Sequence, residues 1–315
     1  MKKIKAYIRI ARPDNWFKNI FLLPGCFIAM ILTSTEISQY YAKLIIGFIA
    51  TCLISSANYV LNEWCDREFD RFHPVKNKRP SVLGNITFKL FTIEYILLSL
   101  IGICLAIFIS RYFVVMIIIF LLMGFLYNVR PFRTKDKIYL DVISESFNNP
   151  IRLLLGWFIV DSEPLPPSSL IISYWMGGAF LMTIKRYSEL RFIGNRELAG
   201  LYRSSFKYYT NDKLLALSIF FGISAAFFGG VFLVKYKIEL LLSFPFYALI
   251  FSWYFYIGLK PNSAAQHPER MYKEKIFLLY VCFVVLLTII LISIRIPRLD
   301  WFLKNSFIIH NINNK

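Results

Sequence analysis

The sequence predicts an all-α polytopic membrane protein, a bundle of nine transmembrane helices. Three observations lead there. The 315 residues are 57% hydrophobic and 18% aromatic, with a mean hydropathy of +0.55, too apolar for an ordinary soluble domain. Nine apolar runs recur along the chain, most of them close to the roughly 20 residues that a bilayer-spanning helix needs. The alternating pattern of a membrane β-barrel is absent, and in lipid only helices and closed barrels satisfy the backbone.

The expected spans are 20–36, 43–62, 91–110, 112–128, 139–160, 168–185, 214–234, 239–258 and 275–294. The N-terminal stretch MKKIKAYIRIARPDNW is basic and leads into an apolar run. No small-residue cleavage pattern follows, so it reads as an amphipathic lead-in to a retained first span rather than a signal peptide. Outer connections are short, as in DSEPLPP at 161–167, and inner ones are longer, near 63–90, 129–138, 186–213 and 259–274. With no low-complexity linker, residues 1–315 are expected to form one integral membrane domain.

The net charge of +17 raises the possibility of nucleic acid binding, but its distribution argues against it. Of the 36 basic residues, 27 fall in the N-terminal segment and after spans two, four, six and eight. Another 8 lie on the opposite side, and Arg152 lies inside span five. Cytoplasmic loops carry the excess of Lys and Arg. The N-terminus and the working face are therefore expected on the cytoplasmic side of a bacterial-type inner membrane. Cys26, Cys52, Cys65, Cys104 and Cys282 are scattered and odd in number, without metal-ligand spacing or a disulfide framework. His73, His267 and His310 are too far apart in sequence to propose a cluster.

The stretch NEWCDREFD at 62–70 places three acids in five positions, with KNKRP directly behind it at 76–80. Asn62, Asp66 and Asp70 are four residues apart, and four helical steps turn only about 40° past a full circle. The three form one stripe, extended by Asn58, while Glu63 and Glu68 point elsewhere. Mg²⁺ takes one or two carboxylates and fills its shell with waters and phosphate oxygens. Lys76, Lys78 and Arg79 suit the remaining phosphate charge. The spacing fits a metal–diphosphate site, and it fits equally a solvated helix end with i,i+4 ion pairs.

The pattern N-x-x-x-D-x-x-x-D at the inner end of span two resembles the first signature of the UbiA-type intramembrane prenyltransferase superfamily. Its members are nine-helix bundles that bind a diphosphate through Mg²⁺ over a central membrane cavity. The resemblance covers most of the chain by span count and motif order. The family's usual second motif is another pair of aspartates four apart. Here that segment reads MTIKRYSELRF, with Lys185 and Glu189 at the spacing, and resembles the decaprenyl-phosphate phosphoribosyltransferase branch. RPDNWFKN at 12–19 and DRFHPVKNKRP at 70–80 resemble the same branch. So do LYNVRPFRTKDKIYLDV at 126–142 and the Ile151-Arg152 pair, whereas SFNNP at 146–150 departs from its small residues.

The resemblance implies Mg²⁺-dependent transfer of phosphoribose from 5-phosphoribosyl 1-diphosphate to a polyprenyl phosphate in the membrane, a step toward cell-envelope glycans. Asp66 and Asp70 would hold Mg²⁺, with Asn62 a ligand or an orienting group. Glu189 could hold a ribose hydroxyl or assist a second metal, and Lys185 and Arg186 could bind phosphate. The site is expected to draw further on Lys18, Asn19, Lys76, Arg79, Tyr127, Arg130, Arg133, Arg152 and Tyr187. A lysine at 185 offsets negative charge that a second aspartate pair would increase. The nucleophile, a lipid phosphate, is already anionic, so no strong general base is required. Lys185 and Glu189 also fit a plain i,i+4 pair. Arg152, costly in a span if unpaired, should face the interior and pair with phosphate or an acid, Glu145 before Asp141. A homo-oligomer is compatible with this reading. The competing readings are transfer of a prenyl group to an aromatic acceptor and a cation-coupled transporter. The missing second aspartate pair speaks against the first. The lack of a convincing repeat, and charges that cluster at the cytoplasmic ends rather than at mid-membrane, speak against the second.

Overall fold

A computed structural model describes residues 2–33, 35–160, 165–261, 263–266, 268–297 and 299. His267, His310, Arg298, Lys304 and Lys315, and residues 161–164 of the outer connection, lie outside the described residues. The described chain is helical throughout, without strands. Its α-helices run as α1 Lys2–Ala11, α2 Leu23–Thr33, α3 Tyr41–Asp70, α4 Phe88–Ile107, α5 Arg111–Asn128, α6 Leu140–Ser146 and α7 Asn148–Val160. They continue as α8 Ser168–Ile193, α9 Arg196–Tyr202, α10 Asn211–Tyr236, α11 Phe244–Leu259 and α12 Lys275–Ser293.

Among the described residues, seven helical segments are long and apolar enough to cross a membrane, against the nine expected. The two that fall short are 139–160 and 168–185. In the first, Pro150 lacks the N–H that would bond back to Ser146, and its ring crowds that carbonyl. The helix breaks at Phe147 into α6 and α7. In the second, α8 has the length, but Ser168, Ser169, Ser173, Tyr174, Gly177, Gly178 and Lys185 dilute its hydropathy. Both interruptions put polar groups inside the bundle. The outward faces are apolar, as with Ile276 at 73% and Leu279 at 72% exposure on α12, which suits lipid contact in a multi-pass membrane protein.

Association of helices in lipid relies on close packing through small residues. α2 and α7 meet through Gly25 and Gly156. A Cβ on Gly25 would lie 2.0 Å from the Leu153 carbonyl oxygen, and one on Gly156 would lie 1.9 Å from that of Leu22. Cys26 Sγ donates to the Gly156 carbonyl at 3.1 Å across this seam. Around it pack Leu22, Ile54, Phe113, Ile117, Ile151 and Leu155. A second core joins α8, α10 and α11 through Phe180, Ile184, Phe221, Tyr254 and Ile257.

α3 stays helical through Asp70, well past the expected end at 62, so the acid stripe sits on regular helix. Pro74 follows shortly, where no helix can continue. α8 likewise runs past 185 and ends on Gly194 at φ 68°, a left-handed position that glycine adopts without a Cβ clash. The two helix ends and the loops behind them assemble one polar cluster. All five cysteines are free.

Candidate active site

On α3, Asn62 Nδ2 donates to Asp66 Oδ2 at 3.1 Å and to Asn128 Oδ1 of α5 at 2.7 Å. Asp66 Oδ1 takes Arg133 Nη2 at 2.9 Å and also pairs with Lys135 Nζ. Both cations come from the loop between α5 and α6, and both are buried. Lys135 also donates to Asn128 Oδ1 at 2.6 Å. Burial pulls the Lys135 ammonium down to about 8, against the opposing pull of Asp66. Asp70 is fully buried and pairs through Oδ2 with Arg79, while its Oδ1 is buried with no hydrogen-bond partner.

Glu63 does not point away from this machinery. It is 2% exposed and pairs with Arg12 at 2.6 Å, with Arg79 at 3.6 Å and with Ser81 Oγ at 3.0 Å. It clamps the N-terminal segment and the loop behind α3 onto one carboxylate. Glu68 is exposed beside Arg67.

On α8, Lys185 and Glu189 do not pair with each other. Lys185 Nζ reaches Glu145 Oε1 of α6 at 3.2 Å. Glu189 accepts from Lys76 Nζ at 2.5 Å and Tyr202 Oη at 3.1 Å, with His73 Nε2 at 3.6 Å and Arg186 Nη1 at 3.5 Å. Arg186, 1% exposed, bridges Asp141 at 3.2 Å, Glu145 and the Tyr127 hydroxyl at 3.0 Å. Tyr127 in turn donates to Glu145 at 2.5 Å. Burial lowers the pKa of His73 and of Lys76. Arg79 is raised, because Asp70 and Glu63 outweigh the cost of its burial.

Asn62, Asp66 and Arg133 form one bonded group, Asp70 and Arg79 a second, and Lys76, Tyr127, Lys185, Arg186 and Glu189 a third. The three make one electrostatic cluster, with Asp66, Lys76 and Arg79 all acting on Asp70. Lys18 is half-buried and within electrostatic range of Lys185. Arg130 is exposed over the Phe69 ring and lies outside the cluster. Tyr187 packs with Ala199 and Phe206, and its hydroxyl accepts from Arg191 at 3.3 Å. Asn19 and Arg152 form a separate pair: Arg152 Nε donates to Asn19 Oδ1 at 3.0 Å. The expected Arg152–Glu145 pair does not form, because Glu145 is taken by Lys185, Arg186 and Tyr127.

Several members carried no spacing signal. Arg203 lies 3.8 Å from Asp141 and 3.2 Å from the Tyr127 hydroxyl. Tyr209 Oη and Ser205 Oγ donate to Asp141 at 2.7 and 3.1 Å. Lys135 could have been found, since it shares a short basic loop with Arg133. Cations outnumber carboxylates in the cluster: Arg12, Lys76, Arg79, Arg133, Lys135, Lys185, Arg186 and Arg203 face Glu63, Asp66, Asp70, Asp136, Asp141, Glu145 and Glu189. That excess suits a polyanionic ligand.

Among the described residues no three His, Cys, Asp or Glu side chains converge as a preformed metal cage. The donor set nevertheless fits Mg²⁺, which needs only one or two carboxylates. Asp70 Oδ1 is an unpartnered carboxylate oxygen one helical turn from Asp66.

Fold and cluster together define a polytopic helical membrane protein with a cation-rich cluster of buried ion pairs at one end of its bundle. A model of the UbiA prenyltransferase family matches residues 22–281, and the chain belongs to that family of membrane-embedded transferases. It is 26% identical over 213 residues to the decaprenyl-phosphate phosphoribosyltransferase of Mycolicibacterium smegmatis, covering 67% of this chain and 64% of that protein's length. It is 28% identical over 109 residues to a 4-hydroxybenzoate octaprenyltransferase of Shewanella frigidimarina, 34% of this chain and 37% of that one. The fold is that of a UbiA homolog from Archaeoglobus fulgidus solved bound to GPP and Mg²⁺, with a TM-score of 0.68 at 19% identity over 92% of this chain and all of that one.

Proposed function

We propose that the protein transfers 5-phosphoribose from 5-phosphoribosyl 1-diphosphate to a polyprenyl phosphate, releasing diphosphate, as a step in cell-envelope glycan synthesis. The observation that carries this reading is the cationic end of α8. At the positions of the family's second acid pair stand Lys185 and Glu189, and Lys185 and the adjacent Arg186 are set on Glu145, at 3.2 Å for Lys185. A single prenyl diphosphate leaves no need for cations there. A phosphoribosyl donor together with a lipid phosphate brings enough negative charge to need them.

In the transfer, a lipid-phosphate oxygen attacks C1 of the ribose. The new C1–O–P link forms as the bond to diphosphate breaks, and the leaving diphosphate takes the electron pair. No proton has to move, because the lipid phosphate is already anionic, so the transfer calls for no general base. Asp66 and Asp70, with Asn62 beside them, would hold Mg²⁺, which when bound neutralises charge developing on the diphosphate. Lys76, Arg79, Arg133 and Lys135 bind the phosphates. Glu189, fixed by Lys76 and Tyr202, orients a ribose hydroxyl, and the Lys185–Arg186 pair receives the remaining phosphate.

We further take residues 1–315 as one domain whose nine helical segments, α6–α7 and α8 included, cross a bacterial-type inner membrane. The N-terminus and the cluster face the cytoplasm, and the chain can associate as a homo-oligomer. The second reading is prenyl transfer to an aromatic acceptor, favoured by a structural neighbour that holds GPP. Purified protein given labelled phosphoribosyl diphosphate and a short polyprenyl phosphate separates the two. Label in the lipid extract, abolished by EDTA, is the expected result. Transfer of prenyl groups alone overturns the proposal.

A further inference from the structure

Arg152 is 8% exposed, yet no carboxylate pairs with it among the described residues. Its Nε donates to Asn19 Oδ1 at 3.0 Å, its Nη1 donates to the Asn148 carbonyl at 3.2 Å, and its guanidinium lies 5.1 Å from the Phe120 ring centroid. All three neighbours are uncharged. Asn19 cannot move to compensate. It is fully buried, its Oδ1 also accepts from Ser55 Oγ at 3.0 Å, and its Nδ2 donates to Cys52 Sγ at 3.2 Å. The α2–α7 glycine seam fixes the backbone beneath both residues. An arginine is therefore held rigidly within the bundle, with hydrogen-bonding capacity left over and no counter-ion. Cations in membrane interiors are costly and normally pair with something.

Its depth indicates what that something is. Through Asn19, Arg152 is level with Ser55 on α3, which stands 11 residues, about 16 Å of helix, below Asp66. Between the two levels lies Tyr59, within electrostatic range of Arg152 on one side and of Arg12, Lys185 and Glu145 of the cluster on the other, so Arg152 and the cluster act on one stretch of the bundle interior. A water-soluble diphosphate meets the cluster first, from the loops. A phosphate that arrives within the bilayer, on an alkyl tail, meets Arg152. The planar guanidinium fork suits two phosphate oxygens at once.

We propose that Arg152, oriented by Asn19, is the seat of a lipid monophosphate: a second phosphate subsite, separate from the diphosphate subsite at Asp66 and Asp70, that selects the acceptor. This rests on the transfer reaction above for its catalytic meaning, though not for its binding chemistry. The test uses the full chain in detergent with farnesyl phosphate, farnesol, inorganic phosphate and phosphoribosyl diphosphate as separate probes. The variants are Arg152→Met and Arg152→Lys, and the readouts are dissociation constants and thermal unfolding.

Farnesyl phosphate should bind the parent protein at least about tenfold more tightly than farnesol or inorganic phosphate. Arg152→Met should lose that preference, with its affinity for phosphoribosyl diphosphate retained. Its ligand-free melting temperature should hold or rise, since an uncompensated charge is removed. If Arg152→Met does not fold, Arg152→Lys decides, with a raised KM for the lipid phosphate at unchanged kcat. Equal loss of both phosphate ligands, equal affinity for inorganic phosphate, or farnesyl phosphate binding blind to both variants overturns the subsite. Arg152-dependent farnesyl phosphate binding without phosphoribosyl transfer leaves the subsite standing and sinks the reaction. Transfer that is indifferent to Arg152 does the reverse.

Discussion

Lys76 Nζ sits 2.5 Å from Glu189 Oε1, tying the loop behind α3 to α8 across 113 residues of sequence. Glu189 is also the common partner of His73, Arg186 and Tyr202, so it joins both motif segments at one carboxylate. Glu189→Gln leaves Lys76 and Arg186 less compensated in a buried setting, and breaking such a pair costs about 3–5 kcal/mol. The variant should melt well below the parent in detergent, and Lys76→Met added to it should recover part of the loss. A melting temperature equal to the parent's contradicts the assignment.

Asp66→Asn and Asp70→Asn keep side-chain shape and remove the charge that a divalent cation needs. Each should lower turnover by on the order of 10²–10³ or more while the protein still inserts and elutes as the parent does. Near-parental rates in both variants remove the α3 stripe from the chemistry.

His73 gives a pH signature. Its Nδ1 accepts from the backbone N–H groups of Val75 at 3.1 Å and Lys76 at 3.2 Å, so the folded ring is neutral at that nitrogen. Burial lowers its pKa, whereas the unfolded ring titrates near 6.5. As pH falls below about 6.5 the unfolded chain takes up a proton that the folded one refuses, and stability is lost. The melting temperature should fall more steeply from pH 7 to 5.5 in the parent than in His73→Asn, which keeps an acceptor but does not titrate. Parallel slopes contradict this.

At the α2–α7 seam, a methyl on Gly156 meets the Leu22 carbonyl at 1.9 Å. Backbone cannot rotate aside as a side chain can, so Gly156→Ala must part the helices. Overpacking of this kind costs about 1–3 kcal/mol or more. Unfolding in detergent should show the loss, and farnesyl phosphate affinity should drop with it, because α7 carries Arg152. An unaffected variant shows that the seam is looser than its geometry.

The helical class, the family and the α3 stripe were legible in the sequence because each is a local, periodic property. Asn62, Asp66 and Asp70 share a face at any helical spacing of four, whatever surrounds them. The break at Phe147 was signalled by Pro150 but hidden within an apolar run. Pairings made across the bundle were not legible. Arg152 was expected on Glu145, seven residues away and two turns along one helix, but α6 and α7 are separate helices and Glu145 is consumed by α8. Glu63 looked idle by helical phase, yet Arg12, 51 residues earlier, comes back to it. Arg203 and Lys135 sit in loops whose spacing carries no period, so only the assembled structure shows their partners.

The central claim is that the carboxylates at the end of α3 and the cations around them receive a metal-bound diphosphate. A structure of the protein soaked with Mn²⁺ and phosphoribosyl diphosphate tests it most directly, through anomalous scattering from the ion. Density for Mn²⁺ on Asp66 and Asp70, bridging to phosphate held by Lys76, Arg79 or Lys135, is the expected result. An ion and a diphosphate bound elsewhere, with both aspartates still locked to their basic partners, contradicts it.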